Sequence, residues 1–178
     1  MAFASADAPE RARRVKLMLF DVDGVLTDGR LWYGPDGEAL KAFHSLDGHG
    51  IKMLGASGVR VGLLSGRSSR AVEIRARELG IAPVLQGVDD KLARFGALLQ
   101  EHGLRPEEAG YAGDDVVDLP VLMRCGFACS VPQGAAEVRT RVHYVAAAAA
   151  GYGAAREICE YVMRAQGTLD RALAAWLP

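Results

Sequence analysis

The feature that most constrains this chain is a succession of short apolar runs, the first of which, Leu17–Phe20, has no polar alternation and is too short for a helix. Such a run reads as a central strand of a parallel sheet, buried on both faces. Val59–Leu64 repeats the signature, Val84-Leu85 and Tyr144-Val145 are shorter versions, and further strands lead into Gly113-Asp114-Asp115 and cover Phe127–Ser130. Helical segments fall between them: one that Asp47–Gly50 leads into, carrying Ile51 and Leu54 inward and stopped by Gly58, then 71–79 before Gly80, 91–102, 118–123 with Pro120 in its first turn, 134–140 and 154–163. Strands alternating with helices at this spacing require right-handed crossovers, which predicts a three-layer α/β domain with a parallel sheet and helices on both faces.

One segment breaks the alternation. Arg30–Tyr33 and Glu38–Phe43 flank Gly34-Pro35-Asp36-Gly37, which predicts a β-hairpin over about 30–43. The segment 1–14 has three arginines and no apolar stretch, so it reads as a loose tail rather than a signal peptide. The expected domain is therefore 15–165, with a C-terminal tail over 166–178. The 21 basic and 22 acidic residues nearly cancel, which gives no reason to expect a nucleic-acid partner. No stretch is apolar over the ~20 residues of a membrane span. Cys125, Cys129 and Cys159 are odd in number and lack zinc-type spacing, which fits a reducing cytoplasm.

Leu17–Phe20 stops at two acids one residue apart, Asp21 and Asp23, followed by Gly24. Ligands in open parallel sheets bind beyond the carboxyl ends of the strands, and two such acids repel each other unless a cation or a shared proton intervenes. A calcium loop is excluded, because its sixth and twelfth positions would be Leu26 and Trp32 instead of Gly and Glu. A strand end whose acids merely satisfy a turn is the plain alternative. It loses ground because Ser65 follows the second strand, Asp114, Asp115 and Asp118 follow the fourth, and Lys91 opens a helix. Singly, Ser65 and Asp118 read as helix caps and Lys91 as a solvated charge. Together they are what phosphoryl transfer needs: a nucleophile, a proton donor, a Mg²⁺ cage and donors for phosphoryl oxygens.

Asp21-x-Asp23-Gly-Val-Leu-Thr, Ser65-Gly66-Arg67, Lys91 and Gly113-Asp-Asp-x-x-Asp118 resemble, in order and spacing, the four motifs of the haloacid dehalogenase (HAD) superfamily of phosphatases. Lys41-Ala-Phe-His44, Asp47-Gly-His-Gly-Ile51, Gly153-Ala-Ala-Arg-Glu157 and Ala165-Gln-Gly167 are similar, within that superfamily, to the 3-deoxy-D-manno-octulosonate 8-phosphate phosphatases, over about 16–170. The resemblance implies a Rossmann-like HAD fold and Mg²⁺-dependent release of phosphate from that sugar acid, a step in making lipopolysaccharide precursors. It implies that Asp21 is the nucleophile, that Asp23 is the general acid and base, and that Asp21, the Asp23 carbonyl and Asp114 hold Mg²⁺, with Asp115 and Asp118 behind them. Ser65 and Lys91 would hold the phosphate. His44, Asp47, Gly48, Lys52, Gly66, Arg67 and Arg75 would lie on segments that meet the sugar acid. The chain departs from the pattern at Leu46, where many relatives carry a basic residue, and at Ala150, where glycine is common.

The spans 24–64 and 66–90 leave no room for an inserted cap domain, so the site is expected to be open. The resemblance implies a homotetramer in which the hairpin takes part and a neighbouring subunit completes the site. Three other kinds of domain share parts of this pattern: a phosphatase for a nonulosonate 9-phosphate, a receiver-like phosphoacceptor, and an idle assembly domain. A receiver's phosphorylated Asp should end the third strand, whereas here that strand runs to Gln86-Gly87 with Asp89 and Asp90 beyond it.

Overall fold

The structure is a computed structural model of the chain, and it describes residues 2–174 and 176–177. In chain order the elements are β1 (Phe3–Ala4), α1 (Ala8–Arg13), β2 (Leu17–Phe20), β3 (Trp32–Gly34), β4 (Gly37–Leu40), α2 (Ser45–Ala56), β5 (Arg60–Leu64) and α3 (Arg70–Leu79). They continue as β6 (Val84–Leu85), α4 (Lys91–His102), β7 (Ala109–Ala112), α5 (Leu119–Leu122), β8 (Phe127–Ser130), α6 (Ala136–Arg139), β9 (Tyr144–Val145), α7 (Ala154–Ala165) and α8 (Leu169–Leu173). Among the described residues, seven strands form one sheet in the order β1-β9-β8-β7-β2-β5-β6, and β3 with β4 makes the separate hairpin.

β2 lies between β5 and β7, parallel to both, and all four of its residues are buried. Successive side chains of a strand face opposite sides of the sheet. Met18 and Phe20 accordingly pack with Ala12, Ile51, Leu54, Val72, Ile158 and Val162, whereas Leu17 and Leu19 pack with Phe95, Leu98, Val121, Leu122 and Val138. The first set comes from α1, α2, α3 and α7 and the second from α4, α5 and α6, which gives the expected three layers. The carboxyl ends of β2, β5 and β7 carry Asp21, Ser65 and Asp114 to one edge.

Three expectations require correction. The N-terminal segment is not loose: β1 pairs antiparallel with β9, and Ala8 and Ala12 of α1 are fully buried. The C-terminal segment is not a plain tail, since it contains α8, whose Leu169 is buried in the core. The helix expected after Gly50 begins at Ser45 instead, with His44 at its N-cap accepting a hydrogen bond from the Leu46 N–H. Two of its three glycines, Gly48 and Gly50, are explained by close packing. A Cβ at Gly48 would stand 2.3 Å from the Arg75 guanidinium, and one at Gly50 would stand 2.8 Å from the Arg156 Cα. Burying those contacts outweighs the ~1 kcal/mol that each glycine costs a helix.

Candidate active site

After β2 the chain turns sharply, and the Val22 carbonyl accepts from the N–H groups of Val25, Leu26 and Thr27. Gly24 adopts φ +85°, open to glycine and strained for other residues, and a Cβ there would sit 2.1 Å from Asp114 Oδ2. Glycine at this point lets the Asp21–Asp23 loop and the loop after β7 touch. Gly151, beyond the alanine run, presses on the same loop: its N–H donates to the Val25 carbonyl, and its own Cβ would strike Thr27. The run 146–150 is therefore a packed loop. The N–H groups of Ala147 and Ala148 are held by the Glu157 carboxylate and that of Ala150 by Gln133.

Asp21, Asp114 and Asp118 each present an oxygen within 4.8 Å of the others. Lys91 Nζ, at the start of α4, reaches Asp21 Oδ2 at 3.1 Å and Asp118 Oδ1 at 2.6 Å, with its side chain only 6% exposed. Asp118 is fully engaged. Its Oδ1 also accepts the Tyr111 hydroxyl at 2.6 Å, and its Oδ2 accepts the N–H groups of Asp114 and Asp115 at 3.0 and 3.3 Å. It braces Lys91 and the Asp114 loop. Asp115 is exposed at the rim and caps its own turn through the Val116 N–H.

Desolvation, and then the charge of Asp118, push the Asp21 carboxyl up to about 6. The same causes, with Asp21 added, push Asp114 up to about 7. Burial opposes a charge on Lys91, but Asp21 and Asp118 outweigh it and hold the ammonium above its ordinary range. The cluster is thus short of positive charge, and its donors are hard oxygens of the kind Mg²⁺ prefers. The Asp23 carbonyl, which accepts no hydrogen bond among the described residues, adds another. These residues fit a divalent ion.

A pH dependence follows. Folded carboxyls with raised pKa bind protons more tightly than unfolded ones, so Asp21 and Asp114 add stability to the metal-free protein as pH falls through about 7 and 6, and lose it as pH rises. Protons and metal compete for the same oxygens. Calorimetric titration should show Mg²⁺ affinity falling at least about tenfold between pH 8 and pH 6, and equal affinity at the two values would show that these carboxyls do not hold the ion.

An open cleft of about 400 Å³ collects Asp21, Asp23, Ser65, Gly66, Arg67, Lys91, Asp114 and Asp115, with Val88, Asp89 and Val117 on its walls. Asp118 lies beneath it. The other predicted sugar contacts are elsewhere in the subunit. His44, Asp47, Gly48 and Arg75 line a tight crevice between α2 and α3, and Lys52 faces the grooves on the outer side of α2. Asp47 in particular is corrected: it is buried, and its two oxygens accept the N–H groups of Gly153 and Arg156 at 3.1 and 2.8 Å, anchoring the start of α7. His143 accepts the Ala128 N–H through Nδ1.

Sequence reasoning missed Tyr111, Lys41 and Glu38. Tyr111 shares the α4 face of the sheet with Leu19, so strand alternation would have aimed it at Lys91. Lys41 belongs to a quoted motif but had no role, and the hairpin folds its ammonium onto Asp23 Oδ1.

No family model matches the chain. The 3-deoxy-D-manno-octulosonate 8-phosphate phosphatase KdsC of Escherichia coli (strain K12) is 40% identical over 168 residues, spanning 94% of this chain and 89% of that protein. The Yersinia pestis protein of the same name is 39% identical over 93% of this chain and 89% of its own. The chain belongs to this phosphatase family. Among solved structures, the 3-deoxy-D-manno-octulosonate 8-phosphate phosphatase of Moraxella catarrhalis, in complex with magnesium, phosphate and KDO, matches with a TM-score of 0.93. It is 38% identical and covers 97% of this chain and 99% of that one. A probable YrbI family phosphatase from Pseudomonas syringae pv. phaseolica matches at 0.95 with 48% identity over 98% and 99% of the two chains. The three-layer arrangement is accordingly the HAD hydrolase fold, in the form taken by the 3-deoxy-D-manno-octulosonate 8-phosphate phosphatases.

Proposed function

We propose that this chain is a Mg²⁺-dependent phosphomonoester hydrolase acting on 3-deoxy-D-manno-octulosonate 8-phosphate. The observation that carries the reading is the convergence of Asp21, Asp114 and Lys91 under one open cleft with Asp23 at its wall. An Asp21 oxygen forms a bond to phosphorus while the bond from phosphorus to the sugar oxygen breaks, and Asp23 gives its proton to that departing oxygen. Asp23, now a carboxylate, takes a proton from the water that attacks the aspartyl-phosphate, releasing phosphate and restoring Asp21. Ser65 and Lys91 hold phosphoryl oxygens through both steps. Asp21, the Asp23 carbonyl and Asp114 would hold Mg²⁺, which when bound supplies positive charge against the phosphoryl oxygens.

Arg67, on the loop after β5, brings to the cleft a guanidinium that Tyr33 and Glu38 hold in place, and at 42% exposed it suits the sugar carboxylate. His44, Gly48, Lys52 and Arg75 are assigned no contact within their own subunit. Phosphate release should be fastest from the octulosonate 8-phosphate in a panel that includes a nonulosonate 9-phosphate, and should stop on removal of Mg²⁺. Undiminished release in the presence of a chelator would refute the reading.

The assembly proposed is a homotetramer in which a neighbouring subunit walls the open cleft. Leu31, Trp32, Tyr33 and Leu40 of the hairpin are 39–66% exposed, an apolar patch that a partner would cover. Gel filtration of the Trp32→Asp variant should shift the protein to smaller species with KM raised at least about tenfold, since the completed wall is lost; an unchanged elution volume would count against the hairpin as the contact. The cytoplasm is the proposed location, in keeping with three cysteines that are all free and buried. Among the described residues no helix is long and apolar enough to cross a membrane.

A further inference from the structure

Asp23 is gripped from one side. The Lys41 ammonium pairs with Asp23 Oδ1 and also lies 3.1 Å from Glu38 Oε2, and the Lys41 side chain is only 2% exposed. Asp23 Oδ2 is buried and accepts no hydrogen bond among the described residues. Arg67 Nε stands 3.5 Å from it. The Arg67 guanidinium in turn donates to the Tyr33 hydroxyl at 2.8 Å and to Glu38 at 3.2 Å. The hairpin therefore reaches back to the catalytic loop through two cations, one buried and one at the cleft rim.

A lysine used only for solubility keeps its ammonium in water. Lys41 instead gives up hydration and side-chain freedom, a cost that is recovered only against Asp23 and Glu38. What the arrangement provides is asymmetry, with one Asp23 oxygen tethered and the other left without a donor. A proton-transfer group needs that: a fixed rotamer with one oxygen free to exchange a proton with the substrate.

We infer that Lys41 is a positioning residue for Asp23, held in register by Glu38, so that the hairpin orients the acid and base of the reaction. The inference rests on the acid–base role proposed for Asp23. It adds no new group at phosphorus and acts only through the Asp23 carboxylate.

The test exploits leaving groups, because an alkoxide must be protonated as it departs whereas p-nitrophenolate need not be. Rapid-quench measurement of phosphoenzyme formation should show Lys41→Met about a hundredfold slower with the sugar phosphate, yet within about threefold of the unaltered enzyme with p-nitrophenyl phosphate. Lys41→Arg should recover most of the loss. Mg²⁺ affinity should hold, since only the Asp23 carbonyl is assigned to the ion. Equal slowing with both substrates, or a rise in KM with kcat unchanged, would overturn the inference. Should Lys41→Met not fold, Glu38→Gln is expected to show the same selectivity at about tenfold, and unselective slowing there would overturn it equally. Asp23→Asn serves as the reference: if it lacks leaving-group selectivity, the acid–base reading itself fails, whereas selectivity in Asp23→Asn but not in Lys41→Met sinks the inference alone.

Discussion

Asp21→Asn is expected to lose at least about 10⁴-fold in kcat, since an amide cannot form the phosphoenzyme and the remaining groups bind without a nucleophile. The same variant should fold normally. Asp21 is a buried carboxyl pushed up to about 6 by desolvation and by Asp118, so a neutral isostere relieves repulsion in the cluster. Thermal unfolding at pH 8 without metal should therefore give a Tm equal to or slightly above that of the parent. A folded variant with kcat reduced less than about tenfold would place the nucleophile elsewhere.

Lys91→Met should have the second largest effect and should damage both activity and stability. Lys91 is the buried cation facing Asp21 and Asp118, at 3.1 and 2.6 Å, and its removal leaves those carboxylates uncompensated. Breaking such a buried pair from one side costs about 3–5 kcal/mol. Losing a donor to the phosphoryl oxygens should lower kcat by about 10²–10³-fold. The sign of the pH dependence is fixed by the raised carboxyls: the instability is greatest at pH 8, where they are ionised, and shrinks toward pH 6 as Asp114 and then Asp21 take up protons. Denaturant unfolding at the two pH values checks this. A deficit that grew as pH fell would contradict the electrostatic account.

Much of this site was legible because its residues stand at strand ends. Leu17–Phe20 stops at Asp21 for a reason visible in one line of sequence, and the parallel topology then dictates that Ser65 and Asp114 arrive at the same edge. Lys91 could be placed because it opens the helical stretch 91–102, where the structure adds Asp90 as an N-cap accepting the Ala93 N–H through its side chain. The failures share a different cause. β1 is two residues long and exists only through pairing with β9 at the far end of the chain, a contact no local pattern announces. The early start of α2 runs against its glycines and depends on Arg75 and Arg156 packing where side chains would clash. Asp47 looked like a sugar contact from its motif, yet it holds α7, a role set by residues 106 and 109 positions away. The hold of Lys41 on Asp23 likewise needs the hairpin to fold back, which the turn residues predict without saying what its lysine meets.

The central claim is that Asp21 carries phosphate covalently during turnover. Acid quench of the enzyme with Mg²⁺ and octulosonate 8-phosphate, followed by borohydride reduction and peptide mass mapping, reads that directly. The account predicts reduction of the side chain at position 21 to the homoserine form, present only with both Mg²⁺ and substrate and lost in Asp21→Asn. Reduction at Asp114 or Asp115 instead, or turnover with no reduced residue at all, would contradict it.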